Sequence, residues 1–368
     1  MIRPGPALGV MGRLLWSAPV RAGLGLGVIV AAFVWAIPSF ASYGAIWNQT
    51  DGIQRDLALV LLVVAAANLL APSAAQMAAL PGLNLRGAVQ VDWVTSAVTN
   101  TVPGGSAIAV GLTWTMYRRY QLDHGAIARS LVVTGVWDIF VKASLPLVAV
   151  IWLSTQQPIG PGLIQAAVGG AVLFVIVIGL AWALLVGPRP ALTLGRLLDR
   201  VPVVGTGWAT RLGEMRHDTI WLIRNRWRGL TWWTVAGHAN LFALLVLCLR
   251  AVGVGSAQIS VAATLAAFAF GRLVTAVPLT PGGLGVMEVS LSGALAAAGT
   301  IGTAPDPAAI VAAVLLFRLA TFALPIPLGA VAWLIWNRRG AQPNRRRGAD
   351  SPPNQKRGTD PTASIAVD

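Results

Sequence analysis

Leu279-Thr280-Pro281-Gly282-Gly283-Leu284-Gly285 stands in the middle of an otherwise apolar run from 257 to 299, and Thr101-Val102-Pro103-Gly104-Gly105 interrupts a second such run from 87 to 117. A proline followed by two glycines breaks a helix: the proline lacks an amide hydrogen and clashes with the preceding turn, and the glycines permit a reversal. Non-helical backbone inside lipid is tolerated only where protein or a water-filled cavity surrounds it, because each unpaired amide there costs several kcal/mol. Each run therefore reads as a helical hairpin with an enclosed tip. The arms of the first hairpin reach roughly 24 and 20 Å at about 1.5 Å per residue, short of a hydrocarbon core about 30 Å thick. The arms of the second are longer, and their length leaves open whether the pair is re-entrant or fully spanning.

Lipid is the solvent this composition demands. Hydrophobic residues make up 56% of the chain and charged residues 11%, against about 25% charge in an ordinary soluble domain. Six apolar segments are long enough to cross a bilayer, at about 22 to 40, 57 to 75, 130 to 153, 163 to 187, 231 to 250 and 307 to 336. The expected fold is all-α: a polytopic integral membrane protein of six full spans plus two Pro-Gly-Gly helical hairpins, in an eight-segment description. Arg3, Arg13 and Arg21 precede the first apolar stretch, and Ser39-Phe40-Ala41 offers signal cleavage as the alternative to a first membrane helix.

Placing the N-terminus in the cytoplasm puts 22 of the 27 Lys and Arg residues on that side, the bias that membrane proteins keep in their short cytoplasmic loops. Only Arg55 and Arg250 fall outside, while Lys142, Arg272 and Arg318 lie at membrane depth. The layout divides the chain into a cytoplasmic tail (1–21), a first half (22–187) with hairpin 87–117, a cytoplasmic connector (188–230), a second half (231–336) with hairpin 257–299, and a tail (337–368) expected to be disordered. Trp208, Leu212, Met215, Thr219 and Leu222 repeat at helical spacing in the connector, the pattern of an amphipathic surface helix or of a connector with one packed face. Both termini are cytoplasmic in this layout. The first hairpin then opens from the cytoplasm and the second from outside, so the halves have opposite topology. Pro103 precedes Pro146 by 43 positions and Pro281 precedes Pro325 by 44. Inverted repeats with interrupted helices are a transporter signature, with the site near the midplane.

Two kinds of residue are candidates for that site. The hairpin tips supply Pro103, Gly104, Gly105 and Ser106, and Pro281, Gly282, Gly283 and Gly285; the amides of Gly104, Gly105, Ser106, Gly282, Gly283 and Leu284 are expected to be free, and helix N-termini of this kind attract phosphate or carboxylate. The alternative is that both tips are simply turns between close-packed helices. The second kind is charge at membrane depth, which is costly and usually faces the protein interior. Asp92, Asp138, Lys142, Arg272, Glu288 and Arg318 number three acids and three bases. Asp138 and Lys142, four apart on one helix, are expected to pair; Arg272 and Glu288 flank the second break and are expected to meet; Asp138 and Arg318 are expected to face a common centre. Arg272 and Arg318 are the ligand candidates because guanidinium binds phosphate bidentately, with Asp92, Asp138 and Lys142 as gating or structural charges. Purely structural salt bridges are the competing reading. Asn100, Asn240, His238 and Thr280 offer polar lining, or serve as helix glue.

Other chemistries find no support. The net charge of +14 is dispersed among apolar segments, with no nucleic-acid motif. The single Cys248 excludes an intrachain disulfide and a Cys-rich metal site. Gly23, Gly25 and Gly27 follow no strand, His124, His217 and His238 share no ligand spacing, and neither a nucleophile elbow nor a phosphate-binding loop occurs. No cofactor, metal or enzymatic activity is expected.

Pro278 to Glu288, with Arg272 before it, resembles the best-marked motif of the lysylphosphatidylglycerol synthase transmembrane family, also called flippase-like or YbhN-like proteins. Asn100-Thr101-Val102-Pro103-Gly104-Gly105, followed by Trp137-Asp138 and Lys142, is similar to the companion motif of the first half. The resemblance runs from about residue 55 to 336 and implies a flippase-like activity, as in the multiple peptide resistance factor, which moves aminoacylated phosphatidylglycerol between leaflets. The synthase half of such proteins is a soluble acyltransferase-like domain, and no stretch of this sequence reads as one.

The expectation is a transporter that helps an anionic or phosphate-bearing lipid, or a lipid-linked intermediate, across the bacterial inner membrane. The partner is then a membrane lipid and not nucleic acid, with self-association or cell-envelope enzymes as further partners. The alternatives are an ion-coupled transporter of a small solute and a non-transporting membrane partner of cell-envelope biosynthesis.

Overall fold

The computed structural model describes residues 54–102, 105–156, 208–274, 281–298 and 306–339, with isolated helical positions between 164 and 193. The expected N-terminal tail and first span, most of the span 163–187, the connector up to 207 and the tail beyond 339 lie outside the described residues, as do Pro103, Gly104 and Thr280. Regular structure among the described residues is entirely helical: α1 (Arg55–Ala79), α2 (Leu85–Thr101), α3 (Gly105–Arg119), α4 (His124–Ser154), α5 (Trp208–Ala251), α6 (Val261–Val274), α7 (Val286–Ala298), α8 (Pro307–Arg318) and α9 (Pro325–Arg339). A 3-10 turn occupies Pro281–Gly283 and a π-turn Leu319–Ala323.

Several starts follow from side chains that take up the unpaired amides of a first turn. Asn84 accepts from the Gly87 amide, Asp123 from Gly125 and Ala126, and Asp306 from Ala308 with Pro307 in the first turn. Four helical stretches are long and apolar enough to cross a membrane: Arg55–Ala79, His124–Ser154, Arg216–Ala251 and Pro307–Arg338. They coincide with four of the six expected spans. Their outer faces leave Leu62, Val63, Ile151 and Val331 exposed, side chains that only lipid solvates favourably.

The hairpin arms α2, α3, α6 and α7 have 17, 15, 14 and 13 residues. At about 1.5 Å per residue they reach roughly 20 to 26 Å, so each is shorter than the hydrocarbon core, and the arms of the second hairpin are shorter than the sequence leads one to expect. Two further differences concern breaks. Residues 208–230 of the connector and the span 231–250 are not separate elements: Trp208–Ala251 is one helix of 44 residues, roughly 66 Å long, because it contains no proline to stop it. Its polar part is fastened to α4, where Arg129 Nη1 donates to Asp218 Oδ2 at 2.7 Å, and Leu222 and Leu230 pack with Val133 of α4 and Ala79 at the end of α1. The last span, conversely, is interrupted, since the π-turn separates α8 from α9, and α9 runs on to Arg339.

Packing crosses between the halves. α1 lies along α5, with Asn240 Nδ2 donating to the Val64 carbonyl at 2.9 Å. The first arm of the first hairpin, α2, packs on α9, and the first arm of the second, α6, packs on α4. The α2–α9 crossing is close because Gly329 has no side chain: a Cβ there would collide with the Trp93 carbonyl and with Ala97. Trp93 in turn donates its indole NH to the Leu69 carbonyl of α1 at 2.9 Å. Each hairpin is thus enclosed by helices from both halves, which is what a broken helix at membrane depth requires.

Candidate functional site

The turn of the second hairpin uses left-handed backbone that glycine adopts without strain, with φ of 55° at Gly282, 72° at Gly283 and 78° at Gly285. Gly282 also needs its lack of a side chain for space. A Cβ there would collide with the Phe322 ring and come within 2.9 Å of Asn100 Oδ1. Asn100, in the last turn of the first hairpin's α2, donates Nδ2 to the Phe322 carbonyl at 3.0 Å. That carbonyl belongs to the π-turn, where Pro325 contributes no amide and the i→i+5 pattern thins the regular ladder. The two hairpin tips therefore meet, with the π-turn between them.

The first tip is tighter. Gly105 is buried, and a Cβ there would run into the Val98 carbonyl and Thr99 Cα. Its amide is not free as expected: it donates to the Val102 carbonyl at 2.8 Å, because so sharp a reversal folds the start of α3 back onto the end of α2. Ser106 is exposed and is not drawn into the centre.

A cavity of about 400 Å³ opens beside the junction of the tips. One wall is a polar stripe on α2, where Asp92, Thr95, Ser96, Thr99 and Asn100 recur at helical spacing; Asn68 of α1 and Thr113 of α3 extend it. The opposite wall holds Arg272 of α6, Gly282, Arg318 of α8 and Thr321 of the π-turn. The hydroxyls of Thr95, Thr113 and Thr321 already donate to helix carbonyls, and Ser96 and Thr99 add further hydroxyls to the lining.

Five of the six membrane-depth charges sort into two groups, and Asp92 stands apart on the Ser73 hydroxyl. Arg318 donates Nε to Glu288 Oε1 at 2.6 Å and Nη2 to the Gly282 carbonyl at 3.0 Å. Its guanidinium lies 4.5 Å from the centre of the Phe322 ring, within the range of a cation–π contact. Glu288 Oε2 is buried and has no hydrogen-bond partner among the described residues. In the second group Lys142 Nζ and Asp138 Oδ2 pair at 2.5 Å, and His238 Nε2 lies 3.5 Å from Asp138 Oδ1. Arg272 Nη2 stands 3.4 Å from the same His238 nitrogen, and its charge interacts with that of Asp138.

Two expected pairings change in this geometry. Glu288 meets Arg318, not Arg272, because α7 descends beside α8 while Arg272, on α6, faces α5 and α4. Asp138 does not line the cavity with Arg318; it joins the centre only through His238 and Arg272. The Asp138–Lys142 pair forms as the four-residue spacing predicts. Gly283 and Gly285 serve the turn; among the described residues neither lines the cavity, and no atom lies within 4 Å of a Cβ built at Gly285. Sequence reasoning missed Ser96 and Thr99. Their signal was present as a polar stripe at i, i+4 and i+7 from Asp92 inside an apolar helix, an amphipathic pattern turned inward.

A family model described as the lysylphosphatidylglycerol synthase TM region matches residues 22–329. The chain belongs to this family. The match takes in α1 to α8 and both hairpins and begins upstream of α1, at the apolar stretch from Ala22, earlier than the motif likeness from about residue 55. None of the curated proteins matches the chain. Membership of the lysylphosphatidylglycerol synthase TM family and the four spanning helices establish a membrane protein of this type.

Proposed function

We propose that this member of the lysylphosphatidylglycerol synthase TM family is a flippase-like transporter that carries the headgroup of an anionic or phosphate-bearing lipid, or of a lipid-linked intermediate, across the bacterial inner membrane. One observation carries the reading: Arg272 and Arg318 of one half face the hydroxyls and amide of α2 from the other half across one cavity, where the hairpin tips meet. Guanidinium and hydroxyl groups are donors suited to a phosphate. At about 400 Å³ the cavity falls at the small end of ligand pockets, about 300 to 1,000 Å³, room for a headgroup with the acyl chains left in the bilayer.

The packing supports an inverted-repeat design with re-entrant hairpins. Exchanging the halves turns the α2–α9 contact into the α6–α4 contact and leaves α1–α5 unchanged, the relation expected of a two-fold axis in the membrane plane. Both termini are cytoplasmic in this reading, the chain is a carrier and not an enzyme, and self-association or cell-envelope enzymes are its further partners. The amides of the tips are secondary to the arginines, since the Gly105 amide is taken up locally.

Reconstitution into vesicles with a fluorescent phosphatidylglycerol tests the reading. Arg272→Gln, which leaves the Arg318–Glu288 pair intact, should slow transbilayer movement at least tenfold while the purified protein keeps its melting temperature within a few degrees. Wild-type rates in this variant would remove Arg272 from the site. A cavity that instead binds a small soluble anion, with ion flux and no lipid movement, would turn the assignment to a solute carrier.

A further inference from the structure

Anion binding by the two arginines leaves Asp92 without a role. It lies in the cavity wall on α2, and its hydrogen-bond partner is the Ser73 hydroxyl of α1, which donates to Oδ2 at 3.4 Å. Among the described residues no cationic side chain stands within ion-pair distance of it; Asp138 has Lys142, and Glu288 has Arg318.

The elements around Asp92 offer little else that titrates. α1 carries only Arg55 and Asp56, in its first turn, and α9 carries only Arg338 and Arg339, in its last. From α3 the buried Tyr117 phenol interacts with the Asp92 charge, and across the cavity stand Arg272 and Arg318. Guanidinium stays charged in proteins and a phenol stays neutral near pH 7. Asp92 is therefore the group facing this cavity whose proton occupancy can change.

With all six membrane-depth residues ionised, three acids and three bases cancel. A singly charged phosphodiester beside Arg272 and Arg318 adds one uncompensated negative charge, which is costly where water is scarce. Neutrality returns most simply through a proton on the carboxylate that has no cation. We propose that Asp92 takes up one proton with each anionic headgroup, so that lipid and proton cross together in an electroneutral step. The proton binds Asp92 Oδ on the loading side and is given back to water on the other, with no bond made or broken in the lipid. Coupling is reciprocal: the headgroup favours the proton and the proton favours the headgroup.

This inference rests on the transport reading above, and its experiment separates the two. Infrared spectra of the whole protein in phosphatidylglycerol and in phosphatidylcholine nanodiscs should show, near neutral pH, the carbonyl stretch of a protonated carboxyl that is stronger in phosphatidylglycerol and missing in Asp92→Asn. Asp92→Glu, which keeps the carboxyl and shifts the band, serves if the amide variant does not fold. In vesicles with the membrane potential clamped, one proton per lipid shifts the leaflet distribution of labelled phosphatidylglycerol by up to about tenfold per unit of pH difference, and Asp92→Asn should abolish that shift. An Asp92 ionised in both lipids, or a gradient response equal in wild type and Asp92→Asn, overturns the proposal. A wild type that moves no lipid removes the transport reading and the coupled crossing with it, while the infrared band still decides whether Asp92 holds a proton.

Discussion

Two regions of the described chain, α1 to α4 and α5 to α9, hold their buried charges in different ways. In the first half the carboxylate that stands eight residues before Pro146, Asp138, closes onto Lys142 within a turn of its own helix. In the second half the guanidinium seven residues before Pro325, Arg318, reaches out to Glu288 of α7 and to the carbonyl of Gly282. An i,i+4 pair satisfies charge without tying its helix to another. A guanidinium has five donors in a planar fork and binds several partners at once. Arg318 accordingly fastens α8, α7 and the hairpin tip together, whereas the Asp138–Lys142 pair stays within α4, which is held to α5 by His238 beside Asp138 and, nearer its start, by Arg129 on Asp218.

That contrast makes the halves respond unequally to substitution. The largest loss is expected for Arg318→Met, which strands Glu288 in a buried site; breaking a buried pair by one partner costs about 3 to 5 kcal/mol. Thermal or denaturant unfolding in mild detergent measures it, and adding Glu288→Leu to the same protein should recover most of the loss. No recovery would mean that the pair is not what holds α7 to α8.

Gly282→Ala and Gly285→Ala sharpen the comparison within one turn. Both residues have positive φ, but only Gly282 lies against Phe322 and Asn100. A left-handed conformation alone costs an L residue about 1 to 2 kcal/mol, and overpacking adds about 1 to 3 kcal/mol. Gly282→Ala should therefore destabilise clearly more than Gly285→Ala, and equal effects would show that the tips do not press together.

The smallest change is expected for Lys142→Gln. Removing the ammonium does not strand Asp138, which keeps His238 Nε2 at 3.5 Å and the charge of Arg272 beside it. A loss matching that of Arg318→Met would abolish the contrast between the halves.

Much of this arrangement is visible in the chain before folding. The Pro-Gly-Gly breaks sit inside apolar runs and mark both hairpins, and the Asp138–Lys142 spacing fixes its pair, because such features depend on neighbours in sequence. The polar stripe from Asp92 to Asn100 is just as local and was there to be read. What escaped were relations between distant segments. Nothing near Glu288 announces that its partner is Arg318, thirty positions away on another helix, and not Arg272, sixteen away on the other arm of its own hairpin. Nor does the sequence around Phe322 reveal that its carbonyl receives Asn100.

Composition, periodicity and the two breaks are enough to specify a helical membrane protein with interrupted helices, since lipid forces every backbone amide to find a partner nearby. Which charges meet, where the cavity lies and why Gly282 tolerates no side chain are set only once α2 packs on α9 and α6 on α4. Those choices depend on crossing angles and close approaches between remote helices, and short-range pattern carries no record of them.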